Sequence, residues 1–305
     1  MKNLFLFVFL MTPVSILLPS HWKTIYAHGV IDGPSQMSRF TQAIATKDKI
    51  AVSFLDAQPA TGFGLNYGIF KLTQLFGKHV NRAHMHMGQD GDITSLRQTI
   101  QIASFNGDRN KYSLILYGCS RGAATILNYM SQYNHPEVKA LVLDASPASM
   151  HEMIQPILIK IGINPTRALS IFNILFPAYP KNAITPLQSI KKIQNKKLPI
   201  LLIHSLDDTV VPYEHSLMLY QELLAQGFTN AHLITLPTGK HSFLLQDQNA
   251  NPDYLKAVHS FYKKYDLPYD ASWAAIDLAT YAIDPQMVSS KIDTYKKLIQ
   301  NKSAE

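Results

Sequence analysis

Six short apolar runs constrain this fold more than any other feature of the chain; they occupy residues 24–27, 50–55, 113–117, 139–143, 199–203 and 232–236. Each is of strand length, and each is continuous rather than alternating, as in strands buried on both faces of a parallel sheet. Helical periodicity fills 93–104, 123–133, 214–226 and 252–265 between and after them. Strand and helix in alternation predict an α/β fold: a mostly parallel sheet of about six strands flanked by helices. No internal repeat or low-complexity tract points to a solenoid.

Two stretches break the alternation. Residues 57–91 carry six glycines among aromatics and read as a long excursion with one short helix. Residues 147–197 are rich in Ile, Leu, Met and Phe and punctuated by Pro156, Pro165, Pro177, Pro180 and Pro186, which predicts a helical cap. Residues 271–305 form a C-terminal extension, with a helical stretch over 273–299 whose end is basic. At the other end, Lys2 precedes an apolar run from Leu4 to Leu18 that is too short for a spanning helix. Residues 1–20 therefore read as an export signal, cleaved between Ser15 and His21 or retained as a membrane-associating leader, with a buried first element as the alternative. The domain proper is 21–305, and the expected location is periplasmic or secreted.

With 305 residues, 47% of them hydrophobic, the chain can bury a large core. The net charge of +7 comes without a basic run interleaved with aromatics, so no nucleic-acid face is expected; what it allows is peripheral contact with anionic lipid. A single cysteine, Cys119, excludes an internal disulfide and a cysteine-rich metal site. His79, His84 and His86, with Asp90 or Asp92 nearby, have metal-ligand chemistry but not the spacing of a metal motif, so no metal is expected.

The chemistry concentrates at the ends of the apolar runs. After 113–117 comes Gly118-Cys119-Ser120-Arg121-Gly122, and a helix begins at once. G-x-S-x-G arises by chance in roughly one chain of this length in ten. Between a strand and a helix it means more: the sharp turn lifts a serine hydroxyl to a helix N-terminus, and the glycines let the two backbones approach. Such a serine needs a base held by a carboxylate. Asp208 follows the run 199–203 and His241 follows 232–236, both on loops beyond a strand's carboxyl end. Asp144, at the end of 139–143, is the competing acid. Cys119 occupies the variable position of the motif and reads as buried packing. Arg121 either steers an anionic substrate group or pairs with an acid such as Asp32.

From about residue 22 to residue 266 the chain resembles the α/β-hydrolase superfamily. The acid loop is similar to the family's in Ser205, Asp208, Val211 and Pro212, which selects Asp208; Gly239, His241 and Ser242 are similar to its histidine loop. The pattern from Pro186 to Pro199 resembles the prolyl-oligopeptidase-like and small acyl-hydrolase branches. The resemblance implies a Ser120-His241-Asp208 triad, with the backbone N–H groups of Arg121 and of Val30, in a His28-Gly29-Val30 loop, as oxyanion donors. It implies no cofactor and a small-molecule ester or thioester substrate, with the apolar cap read as a lipophilic acyl or alcohol pocket. A peptidase of the prolyl-oligopeptidase branch is the alternative, although that branch has an aromatic residue after the nucleophile and two glycines beyond, where this chain has Arg121, Gly122 and Ala123. An idle hydrolase fold used for binding is the other. Oligomeric state is left open.

Overall fold

A computed structural model of the chain describes residues 21–30, 33–54, 86–104, 112–160, 162, 164, 167–274, 277–278 and 285–301. Residues 1–20, where a leader is expected, and most of 57–91, where an excursion is expected, lie outside the described residues.

The six runs form one parallel sheet: β1 Trp22–Ala27, β2 Asp48–Ala51, β3 Ser113–Cys119, β4 Val138–Asp144, β5 Ile200–Ser205 and β6 Ala231–Leu236, in the order β2-β1-β3-β4-β5-β6. The helices described are α1 Asp90–Ser104, α2 Arg121–Gln132, α3 Met150–Met153, α4 Gln155–Lys160, α5 Ala168–Leu175, α6 Pro186–Lys192, α7 Glu214–Ala225, α8 Asn251–Lys264 and α9 Pro285–Asn301, with a 3-10 helix at Gly33–Phe40. Both faces of the sheet are covered, which is why its strands carry no polar alternation. On one face Leu114, Leu116, Leu141 and Leu202 pack against α1, α2, α6, α7 and α9. On the other, Ile115, Tyr117, Val142 and Ile203 pack against the 3-10 helix and α8 through Phe40, Tyr254, Val258 and Phe261.

The register aligns the functional ends of the strands. Ala27 pairs with Gly118, Cys119 with Asp144, and Ser205 with Leu236, so the loops after β1, β3, β5 and β6 emerge along one edge. The chain runs from β1 outward to β2 and then returns to β3 on β1's other side. This reversal makes the β1/β3 crevice the topological switch point, where open α/β sheets bind ligands.

The segment 147–197 divides in two. α6 begins with a capping box, Thr185 Oγ1 accepting from Gln188 N and Gln188 Oε1 from Thr185 N, and it packs on α2 and α7 as a flanking helix of the sheet. The part before it has its own apolar cluster: Met150, Ile154, Leu158, Phe172, Phe176 and Tyr179 close around Met87, Ala124 and Val30. The C-terminal helix is described over Pro285–Asn301, whereas Trp273 lies in a turn; residues 279–284 lie outside the described residues. α9 docks on α7 through Val288, Ile292 and Tyr295. No described helix is long and apolar enough to cross a membrane.

Candidate active site

The turn from β3 into α2 is as tight as its glycines suggest. A Cβ on Gly122 would stand 1.9 Å from Ala27 O, and one on Gly118 would stand 2.7 Å from Ala123 N and Cα, so only hydrogen fits at either position. Ser120, between them, has φ 53° and ψ −117°, a backbone conformation that costs a residue with a Cβ about 1–3 kcal/mol. Its N–H is anchored to Asp144 O at 2.8 Å, and its carbonyl accepts the N–H of Ala124 at 3.1 Å.

Ser120, His241 and Asp208 lie together. Ser120 Oγ is 3.0 Å from His241 Nε2, and His241 Nδ1 is 2.7 Å from Asp208 Oδ2. All three are buried, with side chains from three loops of the same sheet edge. The histidine loop is held from both sides: Lys240 N donates to Asp207 Oδ1 at 2.7 Å, and Cys119 Sγ donates to Ser242 Oγ at 2.8 Å. Lys240 and Ser242 both have positive φ, so His241 projects from a constrained turn. Cys119 is wholly buried and tied to that turn, which fits a packing role.

Asp208 is saturated with donors. Its Oδ1 accepts the N–H groups of Val210 and Val211 at 2.8 and 2.9 Å; its Oδ2 receives His241 Nδ1 at 2.7 Å and His204 Nε2 at 3.1 Å. Burial alone would push its carboxyl up, but the positive charge available at His241 and the hydrogen bonds from His204 and His241 outweigh it and hold the group well below the usual carboxylate range.

Asp144 sits one strand away in the opposite regime. It is wholly buried, and among the described residues its carboxyl accepts only the Tyr254 hydroxyl, at 2.8 Å through Oδ2, with no hydrogen-bond partner at Oδ1. Burial pushes its carboxyl up to about 6, partly offset by the Tyr254 hydrogen bond and the two imidazoles. The carboxylate bonded to His241 is that of Asp208.

The loop after β1 abuts the nucleophile. A Cβ on Gly29 would be 3.6 Å from Ser120 Cβ. Gln36 clasps this loop: its Oε1 accepts the Gly29 N–H at 2.7 Å and the Tyr26 hydroxyl at 3.0 Å. That residue had no sequence signal, because a glutamine in a short 3-10 helix has no pattern of its own.

Arg121 does not face the site. Its wholly buried guanidinium makes a two-pronged pair with Asp92, Nε to Oδ2 at 2.7 Å and Nη2 to Oδ1 at 2.5 Å, and stacks 4.7 Å above the Phe54 ring. Arg121 thus pairs with an acid rather than steering a substrate, and that acid is Asp92; Asp32 lies outside the described residues. Asp92 also accepts Gly88 N at 2.6 Å, so both its oxygens are engaged by donors rather than offered to a metal. His79 and His84 lie outside the described residues, and His86 packs over Gly91 in the first turn of α1.

Residues 163–266, the third of the chain that carries the acid and histidine loops, match the prolyl oligopeptidase family. The chain is 26% identical over 163 residues to the uncharacterized protein YfhR of Escherichia coli (strain K12), covering 53% of this chain and 50% of that protein. It is 26% identical over 157 residues to the alpha/beta hydrolase domain-containing protein WAV2 of Arabidopsis thaliana, covering 50% of this chain and 48% of that protein. The chain thus spans about half the length of the curated relatives it matches. Among solved structures, the Pyrococcus furiosus esterase Pf2001 superposes with a TM-score of 0.55 at 18% identity, over 81% of this chain and 84% of that one. The acylaminoacyl peptidase of Pyrococcus horikoshii gives 0.52 at 17% identity, over 86% of this chain and 39% of that one.

Proposed function

We propose that this chain, which has the α/β-hydrolase fold, is a serine hydrolase that cleaves carboxylic ester or thioester bonds through an acyl-enzyme. The observation that carries the reading is the continuous line Ser120 Oγ, His241 Nε2, His241 Nδ1, Asp208 Oδ2, with steps of 3.0 and 2.7 Å at its two hydrogen bonds. His241 takes the Ser120 proton as the oxygen attacks the carbonyl, then gives it to the leaving alcohol or thiol. Water repeats the sequence in reverse roles and frees the acid. Asp208 holds the imidazole in the Nδ1–H tautomer and stabilises its cation. The developing oxyanion is assigned to the N–H groups of Arg121, at the start of α2, and Val30. Gln36 supports the second donor by fixing Gly29. This chemistry needs no cofactor.

Val30, next to the Gly29 that abuts Ser120, and Ala124, whose N–H bonds the Ser120 carbonyl, both pack against the apolar cluster of α3 to α5, which favours a lipophilic acyl chain. Each added methylene buried there is worth about 0.8 kcal/mol. The match of 163–266 to the prolyl oligopeptidase family favours peptide bonds as the second reading.

The deciding experiment is a panel of p-nitrophenyl esters from acetate to palmitate beside acyl-aminoacyl p-nitroanilides, with fluorophosphonate labelling of Ser120. Ester turnover rising through medium chains is the expected result. Ser120→Ala, Asp208→Asn and His241→Ala should each lower it by about ten-thousand-fold with the fold retained. Turnover of the anilides alone would transfer the assignment to a peptidase, and neither labelling nor turnover would leave a binding protein.

A further inference from the structure

We propose that His204 and Ser216 are positioning residues for the reaction, a second imidazole and its tautomer lock that hold the Asp208 carboxylate at the oxygen that also receives His241. The inference rests on the triad reading given above. His204 ends β5 and is wholly buried, with Nε2 3.1 Å from Asp208 Oδ2 and 2.9 Å from Val211 O. A carboxylate and a carbonyl can only accept, so Nε2 carries the proton. In the neutral ring Nδ1 is then an acceptor, and the Ser216 hydroxyl, 2.7 Å away in the first turn of α7, supplies the proton that keeps it so. The chain of contacts therefore runs from Ser120 through His241, Asp208 and His204 to Ser216, anchoring the acid to a helix of the sheet's flank.

The same oxygen, Asp208 Oδ2, receives both imidazoles. Donation from His204 draws negative charge away from His241 and stops the carboxylate from rotating out of line. Without that donor, Oδ2 would face His241 alone, and the His241 cation would be better stabilised. The other ionisable groups whose charge reaches His204 are Asp144 on β4 and Glu214 and His215 at the start of α7. None of them takes its Nε2 proton.

The test is titration of the full chain labelled with ¹⁵N-histidine, followed by NMR, which reads His241 whether or not the protein turns over a substrate. In His204→Phe the His241 midpoint should rise by about one pH unit, a tenfold change in its proton equilibrium. His204→Gln, whose amide N–H can replace Nε2–H, should bring it most of the way back. In ester kinetics the Phe variant should lose kcat with KM little changed, and the acid limb of kcat/KM should move to higher pH. An unchanged midpoint in folded His204→Phe, or a Gln variant that behaves like Phe, would overturn the proposal. If the Phe variant does not fold, Ser216→Ala carries the test: a smaller rise in the same direction supports the lock, and no movement refutes it. A wild-type protein with no hydrolytic activity would count against the functional reading while the titration still decides the role of His204.

Discussion

The N–H of Ser120 donates to the carbonyl oxygen of Asp144 at 2.8 Å, so the acid candidate that does not touch His241 supports the nucleophile through its main chain. Its side chain is left beneath the sheet edge with the Tyr254 hydroxyl, which in turn contacts the Tyr117 hydroxyl. The two acids near the site thus have separable effects.

Asp144→Asn should keep catalytic activity and stabilise the protein in a pH-dependent way. The native carboxyl titrates at about 6 against an ordinary 3.8, so burial of its charge is a cost absent below about pH 4, growing from there, and complete above about 6. The amide removes that cost and retains an acceptor for Tyr254. A gain of about 3 kcal/mol at pH 8 that vanishes near pH 4 is expected from urea unfolding at the two pH values. An equal effect at both would show that the charge is not its source.

Gly122→Ala should damage both stability and turnover. The new methyl group would meet the Ala27 carbonyl, which is backbone and cannot rotate away, so α2 must be pushed off β1 and the Ser120 turn displaced from the Gly29 loop. A loss of about 3 kcal/mol in thermal or chemical unfolding is expected, with kcat falling in the fraction that remains folded.

The Arg121 and Asp92 pair predicts strong non-additivity. Asp92→Asn leaves a buried guanidinium without its counter-charge and should cost about 3–5 kcal/mol. Replacing both partners with Arg121→Met and Asp92→Leu should cost less than the single change, and the Arg121 N–H assigned to the oxyanion survives in either case. A double-mutant cycle in urea measures the difference; simple additivity would show that the pair is not coupled.

Phe172 is wholly buried, its ring 4.7 Å from Phe176 and 4.9 Å from Tyr179. It therefore belongs to the core of the apolar cluster of α3 to α5. Phe172→Ala should loosen residues 150–180 by about 3–5 kcal/mol, seen as faster limited proteolysis within that segment while the sheet stays protected. Protection unchanged throughout would mean the insertion does not depend on this cluster.

Most of the architecture was legible in the sequence because it is encoded locally. Continuous apolar runs can be satisfied only by strands covered on both faces, and the flanking periodicity supplies the covering helices. Gly118 and Gly122 announced a strand-to-helix turn too tight for a side chain. The loop positions of Ser120, Asp208 and His241 followed from the same runs, since each sits just past a strand's carboxyl end.

What only the tertiary structure decided depends on register between distant strands, which no local pattern carries. Pairing of Ala27 with Gly118 brings the Gly29 loop against Ser120. The main-chain bond from Ser120 N to Asp144 O likewise depends on how two adjacent strands align. The sequence offered Asp32 to Arg121, whereas the fold supplies Asp92 from the start of a different helix. His204 and Gln36 left no trace because a buried polar residue at a strand end or in a short 3-10 helix has no periodicity. Their partners, Ser216 and Asp208 for one, Gly29 and Tyr26 for the other, are defined only once the loops converge on one edge of the sheet.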